Sequence, residues 1–116
     1  MEQVSQQIFE YFLNNNDFKQ EMGDKIYPLF VSVQKEFPFA VYNIGEVPYV
    51  SSDGRMFPVT LSLCYEPENY LSAISFADKM KEAVEEMDDA EFVSTQTVFD
   101  DENFHIYVNI NFNIIK

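Results

Sequence analysis

Phe57–Met87, FPVTLSLCYEPENYLSAISFADKMKEAVEEM, is the stretch whose reading decides the fold. Phe57, Val59, Leu61, Leu63 and Tyr65 occupy its odd positions, with Thr60, Ser62 and Cys64 between them, and this period of two predicts a half-buried strand. Pro67 brings a φ already suited to a first helical turn. Glu66 and Glu68 flank it beside the positive end of the helix dipole, and Asn69 is a second N-cap candidate. Tyr70, Ala73, Ala77, Met80, Val84 and Met87 then recur at spacings of three and four, with Ile74, Phe76 and Ala83 widening the stripe. Ser75, Asp78, Lys79, Glu82, Glu85 and Glu86 fall on the opposite side. One face of this helix must bury against a sheet, and the other is strongly acidic.

Toward the N-terminus, Gly45 to Arg55 carries Pro48 and an Asp53-Gly54 pair between two strand patterns, which predicts a long hairpin arm rather than a tight turn. Val47, Tyr49 and Val50 on such an arm are apolar groups that call for a partner. Together with Asp53, Gly54 and Arg55 they make it a candidate subunit contact. Phe39–Ile44 is the strand before the arm, entered through Pro38. Lys25–Val31 is apolar but interrupted by Pro28, so it is extended at best and belongs at an edge. Val4, Ile8, Tyr11 and Phe12 share one face of a short amphipathic helix over Met1–Leu13, with Phe9 and Leu13 on its flanks. The Asn14-Asn15-Asn16 run ends it, and Asp17 is placed to cap one further turn, Phe18–Met22, that Gly23 closes.

Toward the C-terminus, Phe92–Phe99 alternates loosely and Asp100-Asp101-Glu102-Asn103 makes a turn. Ile106, Val108, Ile110, Phe112 and Ile114 then alternate with Tyr107, Asn109, Asn111 and Asn113. The even face is core. Three asparagines on the other face of a strand need water, amide partners or a subunit contact. The order of elements predicts an α+β domain spanning residues 1–116: a mainly antiparallel sheet of about four strands, built as β-hairpin, helix, β-hairpin. The long helix and the short N-terminal helix pack on one of its faces. Strand order is open, and a ferredoxin-like arrangement is compatible with it.

The chain has 116 residues, 47% hydrophobic and 16% aromatic with three glycines, which suffices for one packed core and argues against disorder. No run approaches the roughly 20 apolar residues of a membrane helix, and no signal-peptide pattern opens the chain. The expectation is a soluble, unexported protein, with the single Cys64 fitting a reducing compartment. The formal charge is −13, and Glu82–Glu91 alone holds six acids. Such a surface repels nucleic acid and anionic membrane, and its plainest use is solubility.

Sequence motifs for catalysis are absent: there is no nucleophile elbow, phosphate loop or paired-histidine zinc helix. Cys64 and His105, the one cysteine and one histidine, define the sole conceivable nucleophile–base pair, with nothing local to activate either. Asp100, Asp101 and Glu102 lack the alternate spacing of a calcium loop, and Asp88, Asp89 and Glu91 read likewise as a solvated turn. No cofactor is implied.

Gly23-Asp24-Lys25-Ile26-Tyr27-Pro28, then Pro38-Phe39-Ala40-Val41-Tyr42, the polar arm, and the strand and helix from Val59 to Met87 together resemble the tail-completion (tail-terminator) proteins of long-tailed bacteriophages and prophages. The similarity runs along the whole chain in order and length. Val31–Glu36 departs from the pattern in having no Pro or Gly, and the chain is more acidic than the pattern requires. The resemblance implies a structural head–tail joining protein without catalysis, a subunit of a homo-oligomeric ring, commonly a hexamer. Such a ring caps the tail tube where it meets the head connector, in the virion tail or neck, after assembly in the host bacterial cytoplasm. Its partners would be itself, tail-tube protein and head-connector protein, with no membrane. DNA would pass through without being bound, and Glu85, Glu86, Asp88, Asp89 and Glu91 are the candidate acidic lining of the lumen. Two other classes stay open: a small acidic binding or inhibitor module acting as a monomer on a basic partner, and a small hydrolase resting on Cys64 and His105.

Overall fold

The computed structural model describes residues 2–28, 37–45, 47–48, 55–102 and 104–115, with only the backbone described at Val47, Pro48 and Arg55. Helix α1 (Glu2–Leu13) and helix α2 (Asn16–Met22) precede strands β1 (Ile26–Pro28), β2 (Phe39–Ile44), β3 (Val47–Pro48) and β4 (Arg55–Tyr65). A 3-10 turn (Pro67–Asn69) leads into helix α3 (Tyr70–Glu86), and β5 (Ala90–Asp100) and β6 (His105–Ile115) complete the chain. The domain is α+β, as the periodicities predict, and none of its described helices is long and apolar enough to cross a membrane.

Among the described residues the sheet has six strands rather than about four, in the order β1-β2-β4-β6-β5 with β3 paired to the start of β4. Two short additions account for the difference. β1 pairs parallel to β2 at the edge, Ile26 opposite Ala40 and Pro28 opposite Tyr42, and Pro28 is tolerated because an edge strand has one side without a ladder. The arm begins as a hairpin, with Val47 opposite Met56 and Pro48 opposite Arg55. Its tip residues Tyr49, Val50, Asp53 and Gly54 lie outside the described residues, as does Val31–Glu36. The remaining four strands are antiparallel. Their adjacencies become those of a ferredoxin-like sheet only if β6 is moved to the front of the chain, so that arrangement is present in permuted form.

β6 alternates without a break: its even residues are buried and its odd residues half-buried from His105 to Ile115. It lies between β4 and β5, and its even face meets Phe57, Val59, Leu61, Leu63 and Tyr65 on β4. All three helices cover this face. Val4, Ile8 and Phe12 from α1, Phe18 and Met22 from α2, and Ala73, Phe76, Ala77, Met80, Ala83 and Val84 from α3 join the sheet in a single cluster. The Phe12 ring packs against both Phe18 and Phe112, tying the first two helices to the last strand. Tyr65 donates its hydroxyl to Glu21 at 2.7 Å, and Tyr11 donates to the carbonyl of Ala83 at 2.6 Å, so α2 is pinned to β4 and α1 to α3.

Several local expectations are corrected. Asn15, not Asp17, caps α2: its side chain accepts from the Phe18 amide at 3.0 Å, while Gly23 closes the helix at φ 66 as expected. Tyr70 does not join the buried stripe and is 49% exposed, because the 3-10 turn delays the helix and rotates its first residue away from the sheet. For the same reason Glu66 and Glu68 do not sit in the first turn of α3. The proximity of the two carboxyls, which favours a proton shared between them, raises Glu66 above its ordinary value.

Phe112 is 1% exposed at the centre of the cluster, so Phe112→Ala should cost about 3–5 kcal/mol, whereas Asn111→Ser on the opposite face should cost about 1 kcal/mol or less. Urea unfolding of the two variants beside the native chain measures both, and equal losses would mean the sheet is covered on both sides.

Candidate functional site

Among the described residues, the far face of the sheet carries no helix. Its strands present Phe39, Val41 and Asn43 from β2, Thr60, Ser62 and Cys64 from β4, Tyr107, Asn109 and Asn111 from β6, and Ser94, Gln96 and Val98 from β5, aligned by their register. Two of the three asparagines in the ladder, Asn109 and Asn111, have side-chain partners. Thr60 donates to Asn111 Oδ1 at 2.9 Å, Ser62 donates to Asn109 Oδ1 at 2.7 Å, and the Asn111 amide donates to Ser94 at 3.2 Å. These bonds cross neighbouring strands and join uncharged groups.

Toward one end this face turns apolar. Phe39, Val41 and Cys64 form a second, smaller buried cluster, with Tyr27, Phe37 and Tyr107 packed around it. The Phe37 ring stands edge-on to His105 at 4.5 Å between centroids. Phe39, Val41, Cys64, Val98 and Tyr107, with Thr60, Ser62 and Asn109 beside them, line an open depression of about 660 Å³. Sequence reasoning misses this feature. Its residues come from four strands, and nothing short of the strand order brings Phe39, Cys64, Tyr107 and Val98 into one row.

The structure brings Cys64 and His105 to the same face without making a catalytic pair of them. Cys64 Sγ lies 3.8 Å from the carbonyl oxygen of Ser62, and burial pushes the thiol up to about 12, far from the depressed value a nucleophilic cysteine needs. The His105 ring packs instead against Phe37 and Tyr107. In the β5–β6 turn the Asp100 side chain accepts from the Glu102 amide at 3.1 Å, so this carboxylate shapes the turn. Among the described residues, no three His, Cys, Asp or Glu side chains come together as a metal site.

The acidic candidates gather around the end of α3. Glu85 and Glu86 are exposed in its last turn, Asp88 and Asp89 are exposed in the following turn, and Glu91 is exposed at the start of β5. The last turn of α3 has no basic residue, so Glu85 and Glu86 face the negative end of the helix dipole. Asp89 adopts φ 64, and its carbonyl accepts from the Ile115 amide at 2.7 Å, which folds the acidic turn back onto the sheet. The Tyr11 phenol is raised by burial first and then by Glu86 and Asp88, a sign that these charges gather over the junction of α1 and α3. Of the candidate arm, Val47 and Arg55 are placed by the backbone at the base of the β3–β4 hairpin.

A third exposed feature is the edge formed by β5. Val93 bulges out of its pairing with β6 and is 53% exposed, and Phe99 and Phe104 are 53% and 68% exposed. The two phenylalanine rings lie 6.5 Å apart at the tip of the β5–β6 hairpin.

No family model and no curated protein sequence matches the chain. Its fold is shared with a solved chain of the virion of a native gene transfer agent particle, with a TM-score of 0.72 over 91% of this chain and 88% of that one. The two are 8% identical, so the likeness is one of fold.

With the thiol raised to about 12, roughly one Cys64 in ten thousand is ionised at pH 8. A disulfide reagent should therefore label the native protein slowly, at a rate that rises with urea in step with unfolding. Rapid labelling of the folded chain would return Cys64 to the list of reactive groups.

Proposed function

We propose that this chain is a structural protein of a phage or phage-like particle, a ring subunit that caps the tail tube and joins it to the head connector. The observation that carries the reading is the fold held in common with a gene transfer agent virion chain along nearly the full length of both. The sequence resemblance to tail-completion proteins points the same way from separate grounds, since it rests on short motifs and not on topology. A non-catalytic role is supported by the state of Cys64, whose raised thiol supplies no nucleophile.

In this reading the arm, with Val47, Tyr49, Val50, Asp53, Gly54 and Arg55, serves contact between subunits. Glu85, Glu86, Asp88, Asp89 and Glu91 line the passage through which DNA moves. Acids at the C-terminal end of α3 oppose its dipole and one another, a cost to the fold that a repulsive lining makes intelligible. Repeated around a ring, they would deny a polyanion the contacts on which it could stall. The monomeric acidic inhibitor is the competing reading, and it accounts for the charge without accounting for the shared fold.

Particles produced without this protein should accumulate finished heads and tails as separate objects in electron micrographs; joined, infectious particles would overturn the assignment. The combined variant Glu85→Lys, Glu86→Lys, Asp88→Lys, Asp89→Lys should acquire DNA binding that weakens steeply between about 50 and 200 mM salt, on the order of the loss expected for several phosphate contacts. Particles carrying it should fill or eject their DNA poorly. Normal particles with that variant would place the patch on the outer surface.

A further inference from the structure

We infer that the helix-free face of the sheet receives the β5–β6 tip of a second copy of this chain, a head-to-tail contact. The inference rests on the ring reading and specifies which surfaces meet. Electrostatics selects the face. The chain carries −13, yet between Glu91 at one end of this face and the Asp100–His105 pair at the other, the described residues across β2, β4, β6 and β5 are all uncharged. A second copy with so much like charge is least opposed where this one has little of it, and charge depletion is what marks the centre of a protein interface.

Size agrees. β4, β5 and β6 have eleven residues each and β2 has six. At ~3.4 Å per residue and ~4.8 Å between strands the face offers about 600 Å², close to the ~800 Å² each partner gives to a stable interface.

The tip is the complementary part. Phe104 is held at φ 55, a left-handed backbone that a bulky side chain adopts at a cost, and it is 68% exposed with Phe99 as its aromatic neighbour. Insertion into the apolar end of a neighbour's face, between Phe39, Val41 and Tyr107, would bury the ring and offset that strain. Asp101 and Glu102 beside Phe104 forbid two tips from meeting, so the contact joins unlike surfaces, and unlike surfaces are what close a ring.

The test uses the full chain with a lysine on each side of the contact: Ser62→Lys on the face and Phe104→Lys on the tip, both checked for native circular dichroism and Tm. By sedimentation velocity the native chain should assemble, each variant alone should remain monomeric, and an equimolar mixture should form 1:1 dimers that grow no further. The mixture retains one intact face and one intact tip, enough for a single contact. If Ser62→Lys lowers Tm, Asn43→Lys at an exposed position of the same face replaces it. A Phe104→Lys chain that assembles like the native one, as it would through a face-to-face contact, overturns the inference, and so does a mixture that stays monomeric or a native chain that never self-associates. The ring assignment fails separately, by joined particles in the absence of the protein.

Discussion

The ladder between β4 and β6, unbroken from Met56 opposite Ile115 to Tyr65 opposite Ile106, is the constraint on which the rest of the structure depends. These two strands form the centre of the sheet, and their register decides which side chains share a face. A slip of one residue would send Ile106, Val108, Ile110, Phe112 and Ile114 to the helix-free side and bring Asn109, Asn111 and Asn113 under the helices. Burial of the even face by all three helices therefore selects the register. The hydroxyl-to-amide bonds from Thr60 and Ser62 to Asn111 and Asn109 reinforce the same choice from the other side.

From that register follows an unequal molecule. The helical layer takes the apolar face of the sheet and carries Asp78, Glu82, Glu85 and Glu86 on the exposed side of α3. The opposite face is left with aromatic rings, amides and hydroxyls. Acidic groups crowd the end of α3, where the helix dipole makes them least welcome, while among the described residues the sheet's far side has nearly none. If charge served solubility alone, the uncovered sheet would be the place to put it, because an open face and a free edge are the parts most prone to unwanted association. The distribution is the reverse, and that supports assembly through the sheet and repulsion from the helices.

Much of this architecture is legible in the amino-acid sequence. The alternation of β4 and β6 and the stripe of α3 each rest on a single period repeated over many residues, and periodic burial leaves a strong trace in sequence. Local competition is harder to read. Asn15 and Asp17 are both good capping residues, and the choice between them depends on where the backbone leaves α1. Pro67 suits an α-helical first turn and a 3-10 turn equally well, which is why the periodicity misplaces Tyr70 and the pair Glu66–Glu68. β1 is legible only as an extended segment at an edge, marked by Pro28; its parallel pairing with β2 is not, because three residues have no periodic signature. The depression on the open face is illegible for a further reason: Phe39, Cys64, Tyr107 and Val98 are neighbours only through three separate strand pairings.

The edge strand β5 carries the physical argument beyond the single chain. Its partner β6 covers one of its sides, and α3 reaches the sheet beside it, yet every residue from Val93 to Phe99 is exposed. Proteins blunt such an edge with lysine, proline, an inward charge or a bulge. Between Val93 and Phe99, β5 has only the bulge at Val93, beside two threonines and the apolar Val98 and Phe99. A bulge twists the strand out of reach of open-ended pairing while keeping its side chains presented. That combination suits contact with one defined surface through side chains and disfavours indefinite strand addition. A closed ring makes the same demand on its subunits, since each must bind a neighbour on two sides and then stop.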